Sequence, residues 1–122
     1  MNTIIAIFIG GGLGSVARFG VAEYVSTFWK GSFPLATLIA NLLSCIVMGG
    51  VIGYFSSKTD NIDIKAMIVI GFCGGFSTFS TFSKDTLQLM QSGNFLIALI
   101  NILISVVFGV AILWVLTQKA KL

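Results

Sequence analysis

The chain has 122 residues, 57% of them hydrophobic and only 9% charged, with a mean hydropathy of +1.04 and a formal net charge of +3. Seven Lys/Arg and four Asp/Glu are too few to coat a water-soluble domain of this size, so most of the surface is expected to face lipid. The absence of His excludes a His-ligated metal, a His general base and a catalytic triad, and no basic run points to nucleic acid.

A helix needs about 20 apolar residues to cross ~30 Å of hydrocarbon, and four stretches meet that length. The first span is predicted over residues 3–22. Met1-Asn2-Thr3 lacks the basic region of a cleaved signal peptide, so this stretch is expected to be retained. Arg18 lies near its far end, deeper than an interfacial anchor needs, and Glu23 closes it. Tyr24, Phe28 and Trp29 then supply the aromatic composition of a membrane–water interface. After a turn at Lys30-Gly31-Ser32, Pro34 suits the first turn of a second span over residues 34–55. Asn41 sits inside that span, where an unpaired amide is costly unless it bonds another helix or lines a wet cavity. Residues 56–63 form the one clearly polar loop.

The third span is predicted over residues 66–90 with a break at 74–78, and the fourth over residues 95–116, ending at Trp114 ahead of Lys119 and Lys121. Cys45 and Cys73 fall in apolar stretches and read as free, packed thiols. With the N-terminus inside, Lys58, Lys65, Lys119 and Lys121 would be cytoplasmic, against Lys30 and Lys84 elsewhere. So few charges leave orientation weakly determined. Gly10/Gly14, Gly49/Gly53 and Gly71/Gly75 are each spaced four apart, which permits close helix approach. Association with a second copy is the expected use, and tightened packing within one subunit is the alternative.

The chemistry concentrates in Gly71-Phe72-Cys73-Gly74-Gly75-Phe76-Ser77-Thr78-Phe79-Ser80-Thr81-Phe82-Ser83. Paired glycines weaken a helix at membrane depth, and carbonyls freed there need protein, water or an ion as partner. A hard monovalent cation suits such neutral oxygens; a kinked helix whose carbonyls are met by Ser/Thr hydroxyls is the alternative. Beyond the break, Phe76, Phe79 and Phe82 recur every three residues, interleaved with hydroxyls and without an acid. Ring edges carry partial positive charge and hydroxyl donors can replace water, so this face can meet a small anion without a formal charge. Arg18 could raise the local anion concentration at a vestibule.

Gly11-Gly12-Leu13-Gly14-Ser15-Val16-Ala17-Arg18-Phe19, Thr37-Leu38-Ile39-Ala40-Asn41 and the segment from Gly71 to Asp85 together resemble the small bacterial fluoride-channel family (Fluc, also called CrcB). The resemblance extends over the whole chain in size and span number. It implies an all-α integral membrane protein of four helices with the third broken, assembled in the bacterial inner membrane as an antiparallel, dual-topology homodimer with two fluoride pores. It further implies a structural sodium ion at the dimer centre, held by main-chain carbonyls that map to Gly74 and Ser77. By position, Phe79 and Phe82 would be the pore aromatic pair, Asn41 the pore amide and Arg18 the vestibule cation. Thr37, Ser80, Thr81 and Ser105 would be the hydroxyl-lined track. Four positions depart from the family pattern: Ser77 stands for a usual Thr, Ser44 for a small Gly, Asp85 for a Glu, and Asn101 for a fourth-helix Tyr.

The expected function is passive, fluoride-selective export that limits fluoride toxicity. A small multidrug-type proton-coupled transporter has similar size and span number, but that chemistry needs a membrane-buried carboxylate. The first span has none before Glu23, and the second and fourth have none. No catalytic constellation suggests an enzyme.

Overall fold

The computed structural model describes residues 2–55, 58, 60–118 and 120. Lys119 and Lys121, which entered the charge bias above, lie outside the described residues. Among these residues the chain is all helical, and four helical stretches are long and apolar enough to cross a membrane: Thr3–Ser26, Leu35–Phe55, Ile62–Gln91 and Phe95–Leu116.

Helix α1 (Thr3–Ser26) begins where the Asn2 side chain accepts the Ile4 N–H at 2.8 Å, which satisfies one of the orphan donors of a first turn. It carries on past Glu23, and the Lys30 ammonium meets the Ser26 carbonyl at 2.6 Å beyond its end. Helix α2 (Leu35–Phe55) places Pro34 at its N-cap, one residue outside the first turn, and loosens to π-helical winding over Val51–Phe55. Asn61 caps the next element, whose first residues, Ile62 and Asp63, belong to helix and not to the polar loop. This element, α3 (residues 62–76), is π-helical over Ala66–Phe72 and α-helical on either side. Helix α4 (Phe79–Gln91) completes the third span, and α5 (Phe95–Leu116) is the fourth.

The turn between α4 and α5 follows from one glycine. Gly93 takes φ +84°, a left-handed conformation that only glycine adopts freely. Its N–H bonds the Met90 carbonyl at 3.1 Å and the Asn94 N–H bonds the Leu89 carbonyl at 2.7 Å, the paired bonds of a Schellman cap.

The interior is built largely from small residues, with Phe76 and Leu89 as its large apolar members. Ala6, Ala40 and Ala98 are buried, and backbone approaches backbone between α1 and α3. A methyl group on Gly10 would collide with the Met67 carbonyl oxygen, on Gly14 with that of Phe72, and on Gly75 with that of Gly11. On Gly49 and Gly53 it would strike Leu116 of α5. All three four-spaced glycine pairs are therefore used within one subunit, correcting the expectation that they mark the contact with a second copy. Long apolar side chains instead point outward, including Phe8, Val16, Phe19, Leu96, Val107 and Trp114. Close-packed small residues inside and bulky apolar ones outside is the arrangement a lipid solvent selects.

Candidate functional site

The third span opens at Ser77 and Thr78, both extended (φ −80°, ψ 159° and φ −154°, ψ 119°). Gly74 and Gly75 remain helical, so the break is narrower than the 74–78 expected. Gly75 is required by the approach of α1 and not by loss of helicity.

Two extended residues expose the last carbonyls of α3 and the first N–H groups of α4, and side chains from α1, α2 and the break itself take some of them up. The Cys73 carbonyl accepts the Ser77 N–H at 2.9 Å, the Ser77 hydroxyl at 2.6 Å and the Ser44 hydroxyl at 3.0 Å. The Gly75 carbonyl accepts Arg18 Nε–H at 3.0 Å. Asn41 meets the backbone of Thr78 as a second peptide would: its Oδ1 accepts the Thr78 N–H at 2.8 Å, and its Nδ2 lies 3.4 Å from the Thr78 carbonyl. The Thr78 hydroxyl caps α4 by accepting the Thr81 N–H at 3.2 Å. None of the hydrogen bonds among the described residues ends on the Gly74 or Ser77 carbonyl.

Two cavities flank the break and share Thr78. One, of about 310 Å³, is lined by Asn41, Cys45, Ser77, Thr78, Phe79, Phe82, Ser105 and Val106, none of them charged. Phe79 and Phe82 lie with ring centroids 6.0 Å apart and planes at 40°, and Phe79 is 77% exposed. The second cavity, of about 330 Å³, is lined by Ser15, Arg18, Phe19, Thr37, Thr81 and their apolar neighbours. The residues expected to line an ion path thus divide. Asn41, Phe79, Phe82 and Ser105 share the aromatic cavity, whereas Thr37 and Thr81 join Arg18. Ser80 lines neither; it is exposed, with its hydroxyl 3.3 Å from that of Thr78.

Residue reading missed several contributors. Thr78 touches both cavities and caps α4; the spacing Thr78-x-x-Thr81 carried that signal, since a hydroxyl residue ahead of a helix commonly serves its third N–H. Ser15 lines the Arg18 cavity, and Ser44 braces the Cys73 carbonyl. Asp85 accepts the Thr37 hydroxyl at 2.7 Å, with the Lys84 ammonium 3.5 Å from its other oxygen.

Comparison with known proteins identifies the family. The family model described as CrcB-like protein, Camphor Resistance (CrcB), matches residues 5–116. A fluoride-specific ion channel FluC from Pseudomonas fluorescens (strain SBW25) is 40% identical over 99% of this chain and 98% of its own length. Its namesake from Flavobacterium psychrophilum is 37% identical over 93% of each chain. The one from Phocaeicola vulgatus is 42% identical over 90% of this chain and 91% of its own. Matched over nearly its whole length by both the family model and these relatives, the chain belongs to the CrcB-like family.

Proposed function

We propose that this protein is a fluoride-selective channel that lets fluoride leave the bacterial cell passively. The observation that carries this reading is the uncharged cavity beside the break, where two phenylalanine rings stand with Ser105, Ser77 and the Asn41 amide. A fixed positive charge would hold a small anion too tightly for rapid passage. Ring edges, joined by the Ser105 hydroxyl when its hydrogen turns to the ion, offer weaker, distributed stabilisation that can replace lost water. The name shared by the relatives supports fluoride as the ion. Fluoride enters acidified surroundings as neutral HF, dissociates in a more alkaline cytoplasm, and is driven out by a negative-inside potential.

The working unit is a homodimer of antiparallel copies. Phe79 carries its large exposure beside the open side of the aromatic cavity, and a second copy laid across that face would close the path. A sodium ion between the copies belongs to the same reading. Gly74 has nothing within 4 Å of where a Cβ would stand, and its carbonyl and that of Ser77 take no hydrogen bond among the described residues. Neutral oxygens of this kind suit a hard monovalent cation, which would supply fixed positive charge at the dimer centre. Arg18, with Ser15, Thr37 and Thr81, forms a vestibule that concentrates anions ahead of the aromatic pair.

The decisive experiment compares fluoride and chloride efflux from liposomes containing the purified protein. Fluoride flux well above protein-free liposomes, with chloride near background, is expected. Comparable chloride flux, or no fluoride flux, would sink the proposal.

A further inference from the structure

Asn101 is the largest polar side chain fully enclosed by the protein, at 1% exposure. It stands on α5 facing α4, and it reaches the aromatic cavity only through its neighbours. Its Nδ2 donates to the Thr86 hydroxyl oxygen at 3.0 Å, and its Oδ1 is 3.4 Å from the Ser105 hydroxyl. Thr86 in turn donates its hydroxyl hydrogen to the Phe82 carbonyl at 2.8 Å.

Counting hydrogens fixes the direction of this chain. A threonine hydroxyl has one hydrogen, and that of Thr86 is committed to Phe82, so Thr86 can only accept from Asn101. The amide nitrogen must therefore face Thr86 and the amide oxygen must face Ser105. An amide oxygen cannot donate, so Ser105 gives its hydrogen to Asn101. Donation runs one way, from Ser105 through Asn101 and Thr86 to the main chain of Phe82.

We propose that Asn101 is a positioning residue that sets how strongly the path binds its anion, by holding the Ser105 hydrogen in competition with the ion. With that hydrogen turned to Asn101, Ser105 presents lone pairs to the cavity. A passing anion gains Ser105 as a donor only by rotating the hydroxyl, which strips the buried Asn101 oxygen of its partner. At 3.4 Å the contact is longer than a usual hydroxyl bond of about 2.7 Å, so the hydrogen is held weakly enough to be surrendered and recovered. The anion is thereby helped while it is present and not trapped.

This inference rests on the fluoride reading, and one experiment separates the two. Fluoride efflux would be measured over a range of fluoride concentrations for the wild type, Asn101→Leu, Ser105→Ala and the double variant. Removing the competing acceptor frees the Ser105 hydrogen. Asn101→Leu is expected to lower the half-saturating fluoride concentration about two- to tenfold, the range of one net hydrogen bond. With no hydroxyl to release, the double variant should match Ser105→Ala alone. Should Asn101→Leu fail to reconstitute, Asn101→Thr, too short to reach Ser105, is expected to give the same shift. A reduced maximal rate at unchanged half-saturation, or effects that multiply in the double variant, would overturn the role assigned to Asn101. Absence of wild-type fluoride flux would instead overturn the channel reading before any variant is compared.

Discussion

Asn41 does two kinds of work that one substitution can separate. Its amide pairs with both backbone groups of Thr78 while lining the aromatic cavity. Asn41→Ala leaves the half-buried Thr78 N–H without its partner, a loss of about 1 kcal/mol, and should lower both thermal stability and flux. Asn41→Asp keeps an oxygen for the Thr78 N–H but places a carboxylate beside the path. It is expected to preserve the folded protein, read by size-exclusion chromatography, and to depress fluoride efflux. Phe79 and Phe82 are tested by replacement with isoleucine, which retains bulk but removes the ring edge. Fluoride efflux should fall at least about tenfold, equivalent to ~1.4 kcal/mol of barrier, with assembly unchanged. Altered assembly with unaltered flux would return both rings to a packing role.

Among the elements, α3 shows how far sequence reading reached and where it stopped. Four apolar runs announced four spans because length and hydropathy are local properties. The run Gly71–Ser83 announced irregularity for the same reason. The paired glycines at 74 and 75 suggested a wider opening than the one at Ser77 and Thr78, since a glycine that weakens a helix and one that admits a neighbour look alike in sequence. The neighbour is the α1 backbone, visible only once the helices are packed. The division of the hydroxyl residues between two cavities depends on how α1 and α2 cross the break, and so does the partner of Asn41. The π-helical windings at Val51–Phe55 and Ala66–Phe72 have no local sequence mark that we identify. The packing itself gives a paired prediction. Gly14→Ala sets a methyl against the Phe72 carbonyl and should prevent recovery of folded protein, whereas Gly12→Ala meets open space and should be tolerated. Gly93→Ala also meets open space but keeps φ +84°. It should cost about 1 kcal/mol through the backbone alone, seen as a lower unfolding temperature.

For the whole molecule, the glycine pairs are already occupied inside each subunit, so a dimer must be held by other means. Gly74 supplies a test because its environment within one chain is open. Gly74→Val should leave the subunit fold intact and weaken the proposed dimer; an equally stable dimer would count against a cation held by its carbonyl. Replacing sodium by a large organic cation during purification should likewise shift the protein toward monomer on size-exclusion chromatography.

Arg18 joins the break to the vestibule, and the way it does so limits what can replace it. Its Nε–H is spent on the Gly75 carbonyl, while the guanidinium as a whole borders the cavity shared with Ser15, Thr37 and Thr81. On the proposed reading, Nε serves as the mechanical brace and leaves the other nitrogens of one rigid plane to attract the anion. A lysine has a single nitrogen on a flexible stem and would have to divide its time between the two duties. A conserved charge at this position would therefore not conserve the machine: whichever duty the ammonium favoured, either the broken helix would lose its stay or the anion its invitation.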